Sequence, residues 1–315
     1  MRSFALRRVL ATGLAMFAWV TVLSAGPQMA SAHAPGGFGV QCGFTHMSMD
    51  DPIVYPSQPG MGHMHAFYGN KSTDAYSTRK SLLAAGTTCT DKKDKAAIWA
   101  PTAFIRKNGS WRALEPYRER TYYFRAIRQT IAPVTSLPAN IKLIGGNPHA
   151  MNRGENPALR WYCGEGSPER PFPYDCRPYT AKGEDGIRAI VDLPFCWDGA
   201  NLDSGDHFSH VIYSDPNDTT PHVEPAQCPA SHPKYLPAIS IRIHFRIMDP
   251  CAGATPCGPS DGGQHVRIKL SSGPYYTMHA DFWNTWVQSR LETLTDNCIR
   301  ASKDCHIIGV TTTDI

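Results

Sequence analysis

Ile239-Ser240-Ile241-Arg242-Ile243-His244-Phe245-Arg246-Ile247 alternates apolar and polar residues without a break. Successive side chains of an extended chain point to opposite faces, so the run specifies a strand with one buried face. On that reading His244 lies on the solvent side. Residues 266–270 repeat the pattern in miniature. Residues 97–106 and 111–114 flank Asn108-Gly109, a dipeptide that suits a tight hairpin turn. Further strands are expected at 121–127, 141–144, 159–163, 187–193 and 210–213, with Pro- and Gly-rich connections between them. Helix signals are few. One covers 73–85 and stops at Gly86; the other covers 281–297, with Phe282, Trp286, Arg290, Leu291 and Leu294 at helical spacing and Asp281 as N-cap. The expected fold is mainly β: a disulfide-stapled, β-sandwich-like single domain with long loops and one or two short helices.

Outside that frame, residues 1–32 read as a cleaved secretory signal. A basic start, an uncharged apolar stretch over 9–25 and Ala30-Ser31-Ala32 give its three parts. The remaining 33–315 form one domain, with its core at about 40–298, and no stable membrane anchor is expected once the signal is removed. All ten cysteines follow the signal. An even count in an exported chain reads as disulfides, and the absence of any C-x-x-C argues against a zinc ribbon. The shortest loops pair Cys251 with Cys257, Cys298 with Cys305 and Cys163 with Cys176, though spacing does not settle the connectivity. Losing Arg2, Arg7 and Arg8 leaves 28 basic against 27 acidic residues, a net charge of +1. Such a balance gives no bulk attraction to nucleic acid or to an anionic membrane. A polysaccharide or cell-wall polymer is the expected partner.

Three clusters carry chemistry: His63-Met64-His65, Asp206-His207-Phe208-Ser209-His210 and His279-Ala280-Asp281. In extended backbone, i and i+2 share a face, so His63 and His65 can aim two nitrogens at one point. His279 and Asp281 can do the same with a nitrogen and an oxygen. The expected metal ligands are His63, His65, His210 and His279, holding a divalent ion for which zinc, copper and manganese are not distinguished. Asp281, Asp206 and His207 are the expected catalytic groups. Each cluster also has a plain structural reading. Asp281 suits a helix N-cap, and Asp206 suits a network that satisfies buried polar groups. His232 suits packing beside Cys228, and Trp197-Asp198-Gly199 suits a core Trp followed by a turn. Tyr122, Tyr123, Tyr275, Tyr276, Trp283 and Trp286 are candidates for a sugar-stacking platform or for core. Cleavage after Ala32 would also expose His33 as an N-terminal copper chelate.

Many ordered motifs resemble a known family. They include Asp51-Pro52-Ile53-Val54, Gly62-His63-Met64-His65-Ala66-Phe67-Tyr68-Gly69-Asn70 and Ile98-Trp99-Ala100-Pro101-Thr102. They continue with Leu143-Ile144-Gly145-Gly146, Phe195-Cys196-Trp197-Asp198-Gly199, Asp206-His207-Phe208-Ser209-His210, Cys228-Pro229-Ala230-Ser231-His232-Pro233 and His279-Ala280-Asp281-Phe282. The chain resembles the secreted domain-of-unknown-function family numbered nineteen-ninety-six, found in fungi and actinobacteria. Ile98 and Ala103 depart from its pattern, where a Tyr and a Leu are expected. The resemblance implies a secreted domain and draws attention to the His/Asp motifs, but implies no activity.

Three functions fit. The first is a metal-dependent hydrolase acting on an extracellular or cell-wall polysaccharide. The second is a non-catalytic carbohydrate- or wall-binding β-domain. The third is a metal-free glycosidase using two of Asp51, Asp198, Asp206 and Asp281.

Overall fold

The computed structural model describes residues 36–107, 110–125, 133–163, 167–174, 176, 186–213, 228–247 and 268–310. The signal segment, His33, the Asn108-Gly109 turn, and Cys251 with Cys257 lie outside them. Two large sheets dominate. The first has the order β18 (Asp304–Ile307), β1 (Gly37–Cys42), β7 (Arg118–Phe124), β14 (Ala238–Phe245), β10 (Ile187–Asp192), β9 (Leu159–Tyr162). The second has the order β2 (Phe44–Ser48), β3 (His65–Gly69), β4 (Ala97–Pro101), β17 (His279–Trp283), β8 (Lys142–Gly146). A four-stranded sheet joins β16 (Gly273–Pro274), β15 (Ile268–Leu270), β5 (Ala103–Lys107) and β6 (Ser110–Ala113). A small one joins β12 (Val211–Ile212), β11 (Cys196–Trp197) and β13 (Lys234–Tyr235). This is a single β-rich domain.

The run that decides the fold is β14, hydrogen-bonded on both edges by antiparallel β7 and β10. Its Ile239, Ile241, Ile243 and Phe245 enter the core between the two large sheets, where each buried aliphatic side chain contributes about 1.5–3 kcal/mol. Tyr123 of β7 stacks on Phe38 at 4.7 Å and meets Phe282 of β17 edge-on at 6.2 Å, so ring contacts knit the sheets together. Ile98 and Ala103, the two departures from the family pattern, are core residues.

The opposite face of β14 corrects the expectation of exposure. His244 is only 2% exposed. The guanidinium of Arg242 lies 4.3 Å over the Tyr122 ring, and that of Arg188 lies 4.4 Å over Tyr162. These Arg–Tyr pairs, with the Tyr117 ring 5.8 Å from that of His244, cover the polar side, so alternation is preserved while solvent is excluded.

Three elements differ from their sequence readings. Residues 97–106 divide at Thr102 into β4 and β5, which join different sheets. The expected helix over 73–85 shrinks to α1 (Arg79–Ala84), capped by a reciprocal Thr78–Ser81 box. Ahead of it, Asp74 and Ser77 spend their side chains on nearby backbone amides, which holds a turn in place of helix. The expected helix over 281–297 is strand at its start. Asp281 sits in mid-β17 between Trp99 and Ile144 and caps nothing. Helix α2 (Gln288–Leu294) begins only after Asn284 has turned the chain by accepting from Trp286 N, and a π-helical turn over Thr295–Arg300 follows it.

Disulfides Cys163–Cys176 and Cys298–Cys305 match the short-loop pairing, and Cys42–Cys89 and Cys196–Cys228 close longer loops. No described cysteine is free. No described helix is long and apolar enough to cross a membrane.

A three-histidine candidate metal centre

The face of the five-stranded sheet that points away from the core carries the chemistry. Register sets its rows. Phe67, Trp99, Asp281 and Ile144 lie side by side across four strands. One pleat away, His65 pairs with Pro101 and His279 pairs with Gly146. Carrying the Asp281–Trp99 register two residues along sets His279 beside Pro101 as well, on the side away from His65. Pro101 has no N–H to bridge with and a compact ring, so two imidazoles can lean over it from either side. Gly146 has φ +84°, and a Cβ there would sit 2.7 Å from Met278 O and 3.0 Å from His279 Cα. Only glycine lets the edge strand pass so close to His279.

The loop before β3 adds the third imidazole. The His63 ring lies 4.1 Å from His65 and 5.0 Å from His279, centroid to centroid. One ring atom from each of the three falls within 4.8 Å of the others. Two of the rings are oriented by backbone: His65 Nδ1 donates to Asp50 O at 2.9 Å, and His279 Nδ1 donates to Thr277 O at 3.1 Å. A carbonyl can only accept, so the proton is on Nδ1 and each Nε2 presents a lone pair. The Nε2 atoms of His63 and His65 are buried without a hydrogen-bond partner, as is Asp281 Oδ2, which stands 3.7 Å from His279 Nε2.

Burial favours neutral imidazole throughout. It holds His63 down to about 4 and His279 down to about 3, and it holds His65 well below the ordinary histidine range. The rings also depress one another, and His149 bears on both His63 and His279. Burial pushes the Asp281 carboxyl well up, with Asp51 adding to the shift. Asp51 is itself raised by burial, although its Oδ1 accepts from Ile53 N and Val54 N in a turn.

His207 stands on a neighbouring loop with φ +62°, a left-handed backbone that a non-glycine residue adopts under strain. Its Nδ1 lies 2.8 Å from Asp203 Oδ1, and Asp203 Oδ2 accepts from Lys142 Nζ at 2.9 Å. Both His207 and Lys142 act electrostatically on Asp51. Sequence reading passed over Asp203 and Lys142, although Asp203 and His207 are separated by only four residues.

Two expected site residues stand elsewhere. His210 is outside the imidazole cluster, and both its ring nitrogens are engaged, by Ser204 Oγ at 3.0 Å and Lys142 O at 2.7 Å. Residues 206–210 form a turn, which removes the strand geometry on which that ligand assignment depended. Asp206 closes the turn, accepting from Ser204 Oγ, Phe208 N, Ser209 N and Ser209 Oγ. Those bonds hold its carboxyl below the usual range in an exposed position. Asp198 caps its own turn through Ala200 N and Asn201 N. His232 is half-buried, its Nε2 2.8 Å from Ser209 O and its backbone N–H donating to Pro229 O. Of the aromatic candidates, Tyr122, Tyr123, Trp283, Trp286 and Tyr275 are buried, and Tyr276 is half-buried. Cys42, Cys89 and Asp94 also crowd together, but the two sulfurs are bonded to each other and offer no thiolate.

Fold and site together define a disulfide-stapled β protein with three convergent imidazoles beside a buried carboxyl. The family model described as "Domain of unknown function (DUF1996)" matches residues 51–286, and the chain belongs to that family. The matched span contains His63, His65, His279 and Asp281. No curated protein and no solved structure matches the chain.

Proposed function

We propose that this is a secreted metal-dependent hydrolase in which His63, His65 and His279 hold one divalent cation, acting on an extracellular or cell-wall polysaccharide. The observation that carries the reading is the unpartnered state of the inward-facing atoms. Leaving a buried polar atom unsatisfied costs about 1–3 kcal/mol. His63 Nε2 and His65 Nε2 are both unpartnered within the trio of imidazoles whose ring atoms lie within 4.8 Å of one another, and the unpartnered Asp281 Oδ2 stands 3.7 Å from His279 Nε2. A bound cation would satisfy the imidazole nitrogens and leave the Asp281 carboxyl beside it. Neutral imidazoles with Nδ1 tied to backbone carbonyls are the form that ligates.

The ion would polarise a substrate oxygen and lower the pKa of bound water. A neighbouring cation would favour the carboxylate form of Asp281, which would then accept the proton, and His207, oriented by Asp203, would be the second group for proton transfer. Asp206 takes no part. Export is supported by four disulfides, which persist in oxidising compartments.

Elemental analysis of folded protein tests the reading. Near-stoichiometric metal that disappears in His63→Ala and in His279→Ala supports it; metal-free protein after loading with zinc, copper or manganese overturns it. Product release from a polysaccharide panel, lost in Asp281→Asn, tests the hydrolytic step. A metal-free glycosidase is the second reading, favoured by the presence of two buried carboxyls, Asp51 and Asp281, of which Asp51 acts electrostatically on Asp281. It predicts activity that survives chelation and is lost in Asp51→Asn.

A further inference from the structure

A cleft of about 520 Å³ opens beside the four-stranded sheet, lined by Trp111, Lys269, Ser271, Ser272, Pro274 and Tyr276 among others. Its wall is physically continuous with the three-histidine centre. Ser271 Oγ and Thr102 N both donate to Met64 O, the carbonyl between His63 and His65. Ser272 Oγ meets Thr277 Oγ1 at 2.8 Å, and Thr277 O is the acceptor that orients His279. One short stretch, 271–277, therefore shapes the cleft and braces two of the imidazole-bearing segments.

The lining is chemically specific. Trp111 is 39% exposed on β6, an unusual position for the largest apolar side chain unless something covers it. Lys269 Nζ is held 4.6 Å from the Trp111 ring centroid and 5.8 Å from that of Phe104, and no carboxylate pairs with it among the described residues. An indole stacks on the apolar face of a pyranose, serine hydroxyls bond to its hydroxyls, and one ammonium pairs with one negative charge. The charged side chain lining this cleft is Lys269, a point charge rather than a planar guanidinium fork, which suits the single carboxylate of a sugar better than a phosphate.

We infer that this cleft is a substrate subsite for a carboxylate-bearing sugar, a uronic acid residue of the polymer. The sugar stacks on Trp111 and its carboxylate meets Lys269, while the next residues of the polymer run toward the three histidines. This extends the hydrolase reading to a substrate class, yet the subsite binds whether or not a metal is present. A domain of near-zero net charge is compatible with it, because one local cation suffices.

Metal-free protein titrated calorimetrically with a hexa-uronate and with a neutral glucose hexamer tests the subsite apart from the metal centre, whose occupancy is measured separately. The uronate should bind more tightly than the neutral hexamer. Trp111→Ala should weaken both by roughly ten-fold, with Trp111→Phe retaining most of the affinity. Lys269→Gln should bring the uronate down to the neutral level. A uronate that binds no more tightly than the neutral hexamer, or that is indifferent to either substitution, overturns the proposal. Should Trp111→Ala fail to fold by circular dichroism, Lys269→Gln decides alone.

Discussion

Histidine is buried on the outward faces of both large sheets, yet the two settings are chemical opposites. On the five-stranded sheet, His63, His65 and His279 face one another, with Asp281 and Asp51 close by. On the six-stranded sheet, His244 is ringed by Arg118, Arg120, Arg188 and Arg242, all of which press its pKa further below the normal range than burial alone would. His244 Nε2 is as unpartnered as the Nε2 of His63 or His65. A free lone pair is therefore not enough to attract a cation. The surrounding charge decides, and only the first setting has acids where the second has guanidinium groups.

The largest expected effect breaks or keeps that contrast directly. His63→Ala and His279→Ala should each lower metal affinity by more than the about 10–100-fold that changes outside the ligand set produce. His244→Ala should leave metal content unchanged, and loss of metal there would end the distinction. Next in size is thermal stability. An ion present at about 100 times its Kd adds about 2.7 kcal/mol, so a chelator should lower Tm by roughly 5–10 °C for a domain of this size. His63→Gln should abolish the chelator response, while His244→Gln should retain it.

Acid titration sharpens the comparison further. His63 and His279 fold with pKa values of about 4 and about 3, below the unfolded value near 6.5. The unfolded chain therefore takes up protons first as pH falls. Stability from these groups is complete above pH 6.5 and is lost as pH drops toward 4 and then 3. Urea midpoints of metal-free protein between pH 7 and 4 should fall less steeply in His63→Gln than in the natural sequence. The smallest effect is expected at Asp206. Asp206→Ala should loosen its turn and leave metal content and bulk Tm nearly unchanged, checked by elemental analysis and calorimetry.

Much of this was legible because side-chain period is a local property. The i, i+2 rule put His63 with His65 and His279 with Asp281; the second pair shares a face of β17, while His63 reaches His65 from the loop before β3. Alternation over 239–247 placed β14 correctly. Exposure was another matter, because the cover over His244 comes from Tyr117 and Arg188, both remote from it in sequence. The late helix was misread for a related reason. Phe282, Trp286, Leu291 and Leu294 all press on one core, so a strand, a turn and a helix together imitate a single helical stripe. His210 resembled a ligand because a strand was expected to begin there, at 210–213. Its two hydrogen bonds, one to a residue 68 positions away, could not be read from the chain.

Pro101 sits between His65 and His279 and contributes no donor atom of its own. That makes position 101 a vacant seat at the centre's table. A side chain that ends in an oxygen or nitrogen, such as Pro101→Asp or Pro101→His, would reach upward between the two rings and could change which ion is preferred. A bulky hydrocarbon in the same seat would evict any ion without touching a single imidazole, so the centre can be retuned or closed from beneath.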